Sequence, residues 1–303
     1  MSASTVGPAG EVEVVEVVVP AAERTGRFRA VGLMLASASS NQFGAAVGAL
    51  GFPALGPAGV VAIRQWVAAV VMMTAVRPPL RSFTRREWIP VLGLAAIYAT
   101  MNLTLYTAVD RIGLGLAVTL EFLGPLTVAL AALRRRVDLF CAVFAGAAVM
   151  VLMRPQPTTD YLGIAMGLVA ACCWAGYILL NRTLGRRLPS AQGAAASAAV
   201  SALAYLPVGV WILVHHTPGA QYLAYAAVAG VLSSAVPYLV DLFALRIVRP
   251  GFFGMFMSVH PLLAVVVGWL ILDQRVGWVE WVAICAIVAA NAISVATAQR
   301  GRL

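Results

Sequence analysis

The stretch Leu114-Gly-Leu-Ala-Val-Thr-Leu-Glu121-Phe-Leu-Gly-Pro125-Leu combines features that water-soluble helices do not. It lies in an apolar run over 112–133, long enough for the roughly 20 residues a helix needs to cross a hydrocarbon core, yet it carries an acid near its centre and a proline one turn later. A charged carboxylate at mid-bilayer costs on the order of 3 kcal/mol even on lenient insertion scales, so Glu121 is expected to face a polar cavity. Nine further apolar segments flank it, at 29–50, 56–76, 88–109, 137–153, 161–181, 190–214, 220–245, 250–272 and 276–298. Backbone in lipid must satisfy its hydrogen bonds within the segment, and the strict alternation of a barrel strand is absent. The expected fold is therefore an all-α integral membrane protein of ten transmembrane helices.

Composition agrees with that reading. Of 303 residues, 61% are hydrophobic and 11% charged, with a mean hydropathy of +0.90, which excludes an ordinary soluble domain. Ten spans occupy roughly 200 residues and leave short loops, with no room for a soluble catalytic unit. The net charge of +9 comes from 21 basic residues, all arginines scattered among the connections. That distribution marks topology and anionic-lipid contact rather than nucleic-acid binding. Cys141, Cys172, Cys173 and Cys285 sit inside apolar segments, where cysteine acts as a small hydrophobe. No nucleophile motif, phosphate-binding loop or metal-ligand spacing occurs, so the sequence implies no enzyme, no cofactor and no metal. Energy must come from an ion or substrate gradient.

The arginines also orient the chain. Arg24, Arg27 and Arg29, then Arg77, Arg81, Arg85 and Arg86, Arg134 to Arg136, Arg182, Arg186 and Arg187, Arg246 and Arg249, and finally Arg300 and Arg302 put 17 on one side. Arg111, Arg154 and Arg275 put three on the other, and Arg64 lies inside a span. The positive-inside rule then makes both termini cytoplasmic. Residues 1–27, where Glu11, Glu13 and Glu16 interrupt the valines and Pro20 closes the run, read as a flexible cytoplasmic tail, and 299–303 as a short C-terminal one. The long apolar start followed by nine more spans does not read as a cleaved signal peptide.

Working outward from Glu121, the second half repeats the first. Glu121-Phe-Leu-Gly-Pro125-Leu in the fourth span aligns with Met257-Ser-Val-His-Pro261-Leu in the ninth, an offset of about 136 residues that also pairs the third span with the eighth. Five helices per half is an odd number, so the repeats (28–154 and 160–298) are expected to be inverted, with a substrate site between them near the midplane.

Several residues are candidates for that site. Glu121, Asp241 and His260 can carry protons; the alternatives are a structural acid, a surface ion pair of Asp241 with Arg246, and a neutral hydrogen-bonding histidine. Arg64 can hold a substrate carboxylate, or else pair with Glu121 or Asp241 or snorkel toward one interface. Pro125, Pro237 and Pro261 cannot donate to the carbonyls of Glu121, Ser233 and Met257, which marks three candidate hinges. Asn41, Gln42, Gln65, Asn102, Trp66, Trp174, Tyr177 and Tyr238 supply polar and aromatic walls, or interhelical contacts.

At these residues the chain resembles the drug/metabolite transporter superfamily, specifically its ten-helix EamA family, and within it the bacterial threonine/homoserine exporters. The likeness runs over about 30–298. It is carried by Gly59-Val-Val-Ala-Ile-Arg64, Met101-Asn102, the stretch from Leu114 to Leu126, Arg135-Arg-Val-Asp138, Cys173-Trp-Ala-Gly-Tyr177-Ile and Pro237-Tyr238. The resemblance implies two inverted five-helix repeats in a bacterial inner membrane, and a cavity made largely by the third, fourth, eighth and ninth helices. It further implies export of small amino acids or related metabolites, with Arg64, Asn102, Glu121 and Tyr238 as cavity residues. Two positions depart: the family pattern has glutamate where this chain has His260 and Asp241. Proton antiport is the expected coupling. The partners are a small-molecule substrate, protons and membrane lipid. The rival expectations are another cargo, such as a cationic drug or an aromatic metabolite, an importer, and a non-transporting membrane protein.

Overall fold

The computed structural model describes residues 21–131, 160–188, 191–257 and 259–273, with single positions between 140 and 147 and between 277 and 289. The expected fifth and tenth spans fall for the most part outside these residues, as do Arg134 to Arg136, Cys141, Arg154, Arg275, Arg300 and Arg302. So do both chain ends as far as residue 20 and from residue 290. Among the described residues the chain is helical throughout, with no strand. Four helices are long and apolar enough to cross a membrane, or five if a bent pair counts as one span.

The elements follow the apolar segments closely. They are α1 (Ala21–Ala49), α2 (Phe52–Val76), α3 (Arg85–Ile112), α4 (Leu114–Glu121), α5 (Leu123–Ala131), α6 (Tyr161–Arg187), α7 (Gln192–Ala204), α8 (Leu206–His216) and α9 (Ala220–Gly230). After a π turn at Val231–Ala235 come α10 (Val236–Ile247), α11 (Pro250–Phe256) and α12 (Val259–Leu272). Helix α1 starts at Ala21, directly after Pro20 and inside the stretch read as a tail.

The differences from unbroken spans have local causes. The fourth span starts after Gly113, whose φ of 80° lets α3 turn into α4 across a single residue. It carries a local turn at Phe122, beside Glu121 and upstream of Pro125, where the backbone stays right-handed helical and the Phe122 N–H still reaches the Val118 carbonyl at 2.9 Å. The ninth is irregular after Phe256, upstream of Pro261. There His260 N–H takes the Met257 carbonyl at 2.9 Å, the acceptor that the proline leaves unused. The seventh span is bent by 47° between α7 and α8. In the eighth, the Val236 N–H reaches back to the Val231 carbonyl, one residue further than in an α-helix, immediately before Pro237.

Packing is inverted relative to a soluble protein. Val70, Ile89, Leu179, Leu203, Trp211 and Val214 are each more than half exposed. Arg64, Gln65, Asn102, Glu121, Asn181, Asp241 and His260 are buried. An apolar exterior around a polar interior suits a lipid solvent. Small residues bring the inner helices together: a Cβ on Gly44 would lie 2.6 Å from the Ser233 nitrogen, and one on Gly48 2.7 Å from the Tyr106 hydroxyl. The same holds at Gly163 and Gly167, where an added Cβ would press on Ile112 and Leu120 at 2.7 and 2.9 Å. Three polar contacts join residues 136 positions apart: Gln65 Nε2 to Ser201 Oγ at 2.8 Å, Trp66 Nε1 to the Ala202 carbonyl at 3.2 Å, and Asn102 Nδ2 to the Tyr238 hydroxyl at 2.8 Å.

Candidate functional site

The buried polar residues gather where α1, α2, α3, α4, α6, α10 and α12 converge. Arg64 projects from α2, is 2% exposed, and makes no ion pair among the described residues. Its Nε donates to Ser234 Oγ at 2.6 Å, its Nη2 donates to the Ser233 carbonyl, and its guanidinium lies 4.8 Å from the centre of the Tyr106 ring. The Ser233 carbonyl is the acceptor that Pro237, four residues on, cannot use. The π turn thus presents to Arg64 a backbone oxygen and a hydroxyl in place of an acid. Ser233 Oγ in turn donates to Asn41 Oδ1 at 2.7 Å, which ties α1 to the same turn. Arg64 Nη1 has no hydrogen-bond partner.

Glu121 ends α4, is 4% exposed, and accepts no hydrogen bond among the described residues. The charge of Arg64 acts on it although the two form no ion pair. The alternative pairing of Arg64 with Asp241 does not occur either, because Asp241 is held elsewhere.

Asp241 is 6% exposed and accepts from Ser37 Oγ at 2.6 Å and from the Tyr177 hydroxyl at 3.0 Å, so it bridges α1 and α6. This is an interior position, not the surface ion pair entertained from its spacing to Arg246. Tyr238, one turn earlier on α10, stacks on Tyr98 with ring centres 3.9 Å apart and planes 3° from parallel. Its hydroxyl receives the Asn102 amide, which also donates to the Tyr98 carbonyl at 2.5 Å. Tyr177 stands 5.9 Å from Tyr98 and 6.2 Å from Tyr238, completing an aromatic wall.

His260, 3% exposed, has its Nδ1 2.9 Å from Gln42 Nε2, and Trp174 meets its ring edge-on with centres 4.8 Å apart. With the Gln42 amide nitrogen as donor, the imidazole is neutral and carries its proton on Nε2, an atom without a partner. Gln42 Oε1, Asn102 Oδ1 and Gln65 Oε1 are also buried without partners. Buried polar atoms are nearly always hydrogen-bonded, so this concentration of unmet donors and acceptors marks a place suited to a polar guest.

Sequence reasoning picked out Arg64, Asn102, Glu121, Tyr238, Asp241, His260, Trp174, Tyr177 and Asn41, and the fold gathers them in one buried region. Trp66 lies apart from them, on the α2–α7 contact, while Gln65 joins that contact to the Tyr98 carbonyl, to which its Nε2 donates at 3.1 Å. Ser37, Ser234 and Tyr98 were not picked out, since nothing in a serine within an apolar run separates an interhelical bond from a local one to its own helix. The three prolines each adjoin irregular backbone, but only Pro237 lies against a buried charge whose hydrogen bonds depend on it.

Comparison with known proteins gives a consistent neighbourhood. The profile of the EamA-like transporter family matches residues 161–296. The threonine/homoserine exporter RhtA of Salmonella typhimurium strain LT2 is 32% identical over 271 residues, spanning 88% of this chain and 92% of that protein. RhtA of Escherichia coli strain K12 is 30% identical over the same shares of both chains. A solved crystal structure covers 90% of this chain and 98% of its own at 16% identity, with a TM-score of 0.67, a likeness of fold.

Proposed function

Because the chain belongs to the EamA-like transporter family, we propose that it exports small amino acids of the threonine and homoserine kind, or related metabolites, by proton antiport and alternating access in the inner membrane of a bacterium. Family membership makes it a transporter and not an enzyme. The architecture behind the reading is ten helices in two inverted five-helix repeats, 28–154 and 160–298, with both termini cytoplasmic. Contacts between residues 136 apart support it, because a residue that touches its own repeat equivalent must lie on the axis relating the halves.

The observation that carries the substrate class is Arg64. A permanently charged, sealed guanidinium with one nitrogen unpartnered lacks an anionic acceptor, and a substrate carboxylate supplies it. Glu121, which accepts no hydrogen bond among the described residues, can meet the substrate ammonium or exchange a proton when substrate or water reaches it. Asn41, Asn102, Tyr238, Trp174 and Tyr177 line the path between them. Asp241 and His260 set the charge of the second half, and Pro125, Pro237 and Pro261 mark where its helices and their counterparts flex.

The test is efflux of labelled threonine and homoserine from preloaded proteoliposomes, with and without an imposed pH gradient, beside Glu121→Gln. Gradient-driven flux that disappears in the variant is the expected result. Normal coupled flux in Glu121→Gln removes that residue from coupling, and no flux in a folded wild type redirects the search to other cargo. A second reading draws on the Tyr98–Tyr238 stack and the Trp174 edge on His260, which favour an aromatic or cationic cargo. Such export should survive Arg64→Gln, whereas amino-acid export should not.

A further inference from the structure

Where α6 and α10 end, their last turns and the connection after α10 enclose an open cavity of about 290 Å³, near the lower end of the size of small-molecule sites. Arg182, Arg186, Arg246 and Arg249 line it together with Asn181. Arg182, Arg186 and Arg249 form no ion pair among the described residues. Arg246 is fixed by donating to the Leu188 carbonyl at 3.1 Å and by lying 5.7 Å from the Phe243 ring centre. Asn181 is fully buried beside the Tyr98 hydroxyl, and among the described residues neither its Nδ2 nor its Oδ1 reaches a partner with hydrogen-bond geometry.

The sign of this cavity follows from its charges. The carbonyl ends of α6 and α10 each contribute roughly half a negative charge, far less than four guanidiniums contribute in positive charge. Four like charges around one cavity repel unless an anion joins them, and a planar guanidinium matches phosphate through two parallel N–H donors. The buried amide adds a neutral donor beneath them. Asn181, beside the Tyr98 hydroxyl, and Leu242, next to Asp241, adjoin the central polar region, but neither Arg64 nor Glu121 lines this cavity.

We propose that this cavity binds a phosphate-bearing anion, from either an anionic phospholipid headgroup or free phosphate. The guanidiniums grip the phosphoryl oxygens and the Asn181 amide donates from below. The arginines belong to the connections expected to be cytoplasmic, level with the headgroups of that leaflet.

The experiment uses the full chain in nanodiscs of neutral phosphatidylcholine. To these is added either phosphatidylglycerol or inorganic phosphate, with lipid retention read by native mass spectrometry and stability by the thermal midpoint. The variants are Arg182→Gln with Arg186→Gln and Arg249→Gln, Asn181→Leu alone, and, as a control for diffuse surface charge, Arg81→Gln with Arg85→Gln. Retained phosphatidylglycerol, with apparent affinity falling roughly a hundredfold in the triple arginine variant and unchanged in the control, identifies the lipid source. A midpoint raised by phosphate in neutral lipid, and lost in the same variants, identifies the free anion. Binding of neither, or equal weakening in the control, overturns the proposal. Should the triple variant fail to insert, Asn181→Leu decides, because retention and midpoint shifts matching the wild type in that variant also overturn it.

Discussion

A guanidinium sealed from water needs acceptors for its five N–H groups, and Arg64 finds one on backbone that a proline has left open. The Ser233 carbonyl and the Ser234 hydroxyl occupy the place that the sequence suggested for an acid. Ser234→Ala should leave Arg64 Nε unsatisfied, at a cost of about 1–3 kcal/mol, read as a lower thermal midpoint in detergent. An unchanged midpoint would mean that water replaces the hydroxyl and that the site is wetter than its burial indicates. His260 poses the complementary question, because it stands where the resemblance noted in the sequence implies an acid, and it is held by Gln42 and Trp174. His260→Glu offers the Gln42 amide a charged acceptor and adds an anion to the region. The expected outcome is a changed ranking of cargoes in competition efflux, with threonine and homoserine gaining; an unchanged ranking would remove His260 from cargo selection. At this scale the ionisable residues were legible, because a charge in an apolar run is costly wherever it points away from a cavity. The serines that hold them were not, since a serine reveals its partner only once the helices are packed.

Between residue and molecule, the spans were legible from length and hydropathy, and their interruptions in part from proline. A missing N–H told where the fourth, eighth and ninth helices weaken. It did not tell whether the helix would run on with only a local turn, as at Phe122, or widen into a π turn, as at Val231–Ala235, because that depends on what neighbouring helices offer the freed carbonyl. Pro237→Ala restores an N–H able to donate to the Ser233 carbonyl in competition with Arg64. It should raise the thermal midpoint, as a helix-interior proline removed normally does, while slowing efflux. Wild-type efflux would detach the π turn from transport. The α6 start is a separate device: Asp160 caps it by accepting from the Gly163 N–H at 2.9 Å and pairs with Arg111 across the α3–α6 contact, also at 2.9 Å. These two bonds hold its carboxyl below the ordinary aspartate value. A depressed folded value stabilises the fold above the unfolded aspartate range, and that contribution is lost as pH falls through the folded value. Asp160→Ala should therefore lower the midpoint at neutral pH and approach the wild type in acid. A deficit that persists unchanged at low pH would assign the loss to packing instead.

For the molecule as a whole, the offset of 136 residues has a geometric consequence. If the halves are related by a two-fold axis in the membrane plane, alternating access exchanges the conformations of the two repeats. A contact between repeat equivalents maps onto itself in that exchange and persists, whereas a contact between non-equivalent residues is traded for its symmetry mate. Gln65 with Ser201 is of the first kind, and Ser40, whose hydroxyl donates to the Leu232 carbonyl at 2.6 Å, is of the second. The offset was legible in the sequence, but not which residues 136 apart would meet, because that requires the helices to be docked. With Cys141, Cys172, Cys173 and Cys285 replaced by serine, two paired variants separate the cases: Gln65→Cys with Ser201→Cys, and Ser40→Cys with Leu232→Cys. A short thiol-reactive cross-linker should join the first pair equally with and without cargo and at either sign of the pH gradient, while the second pair's yield changes with both. Loss of the first cross-link on adding cargo, with the second unaffected, would mean that the halves do not exchange conformations about this axis. Movement would then have to come from hinges within the fourth and ninth spans, beside Pro125 and Pro261.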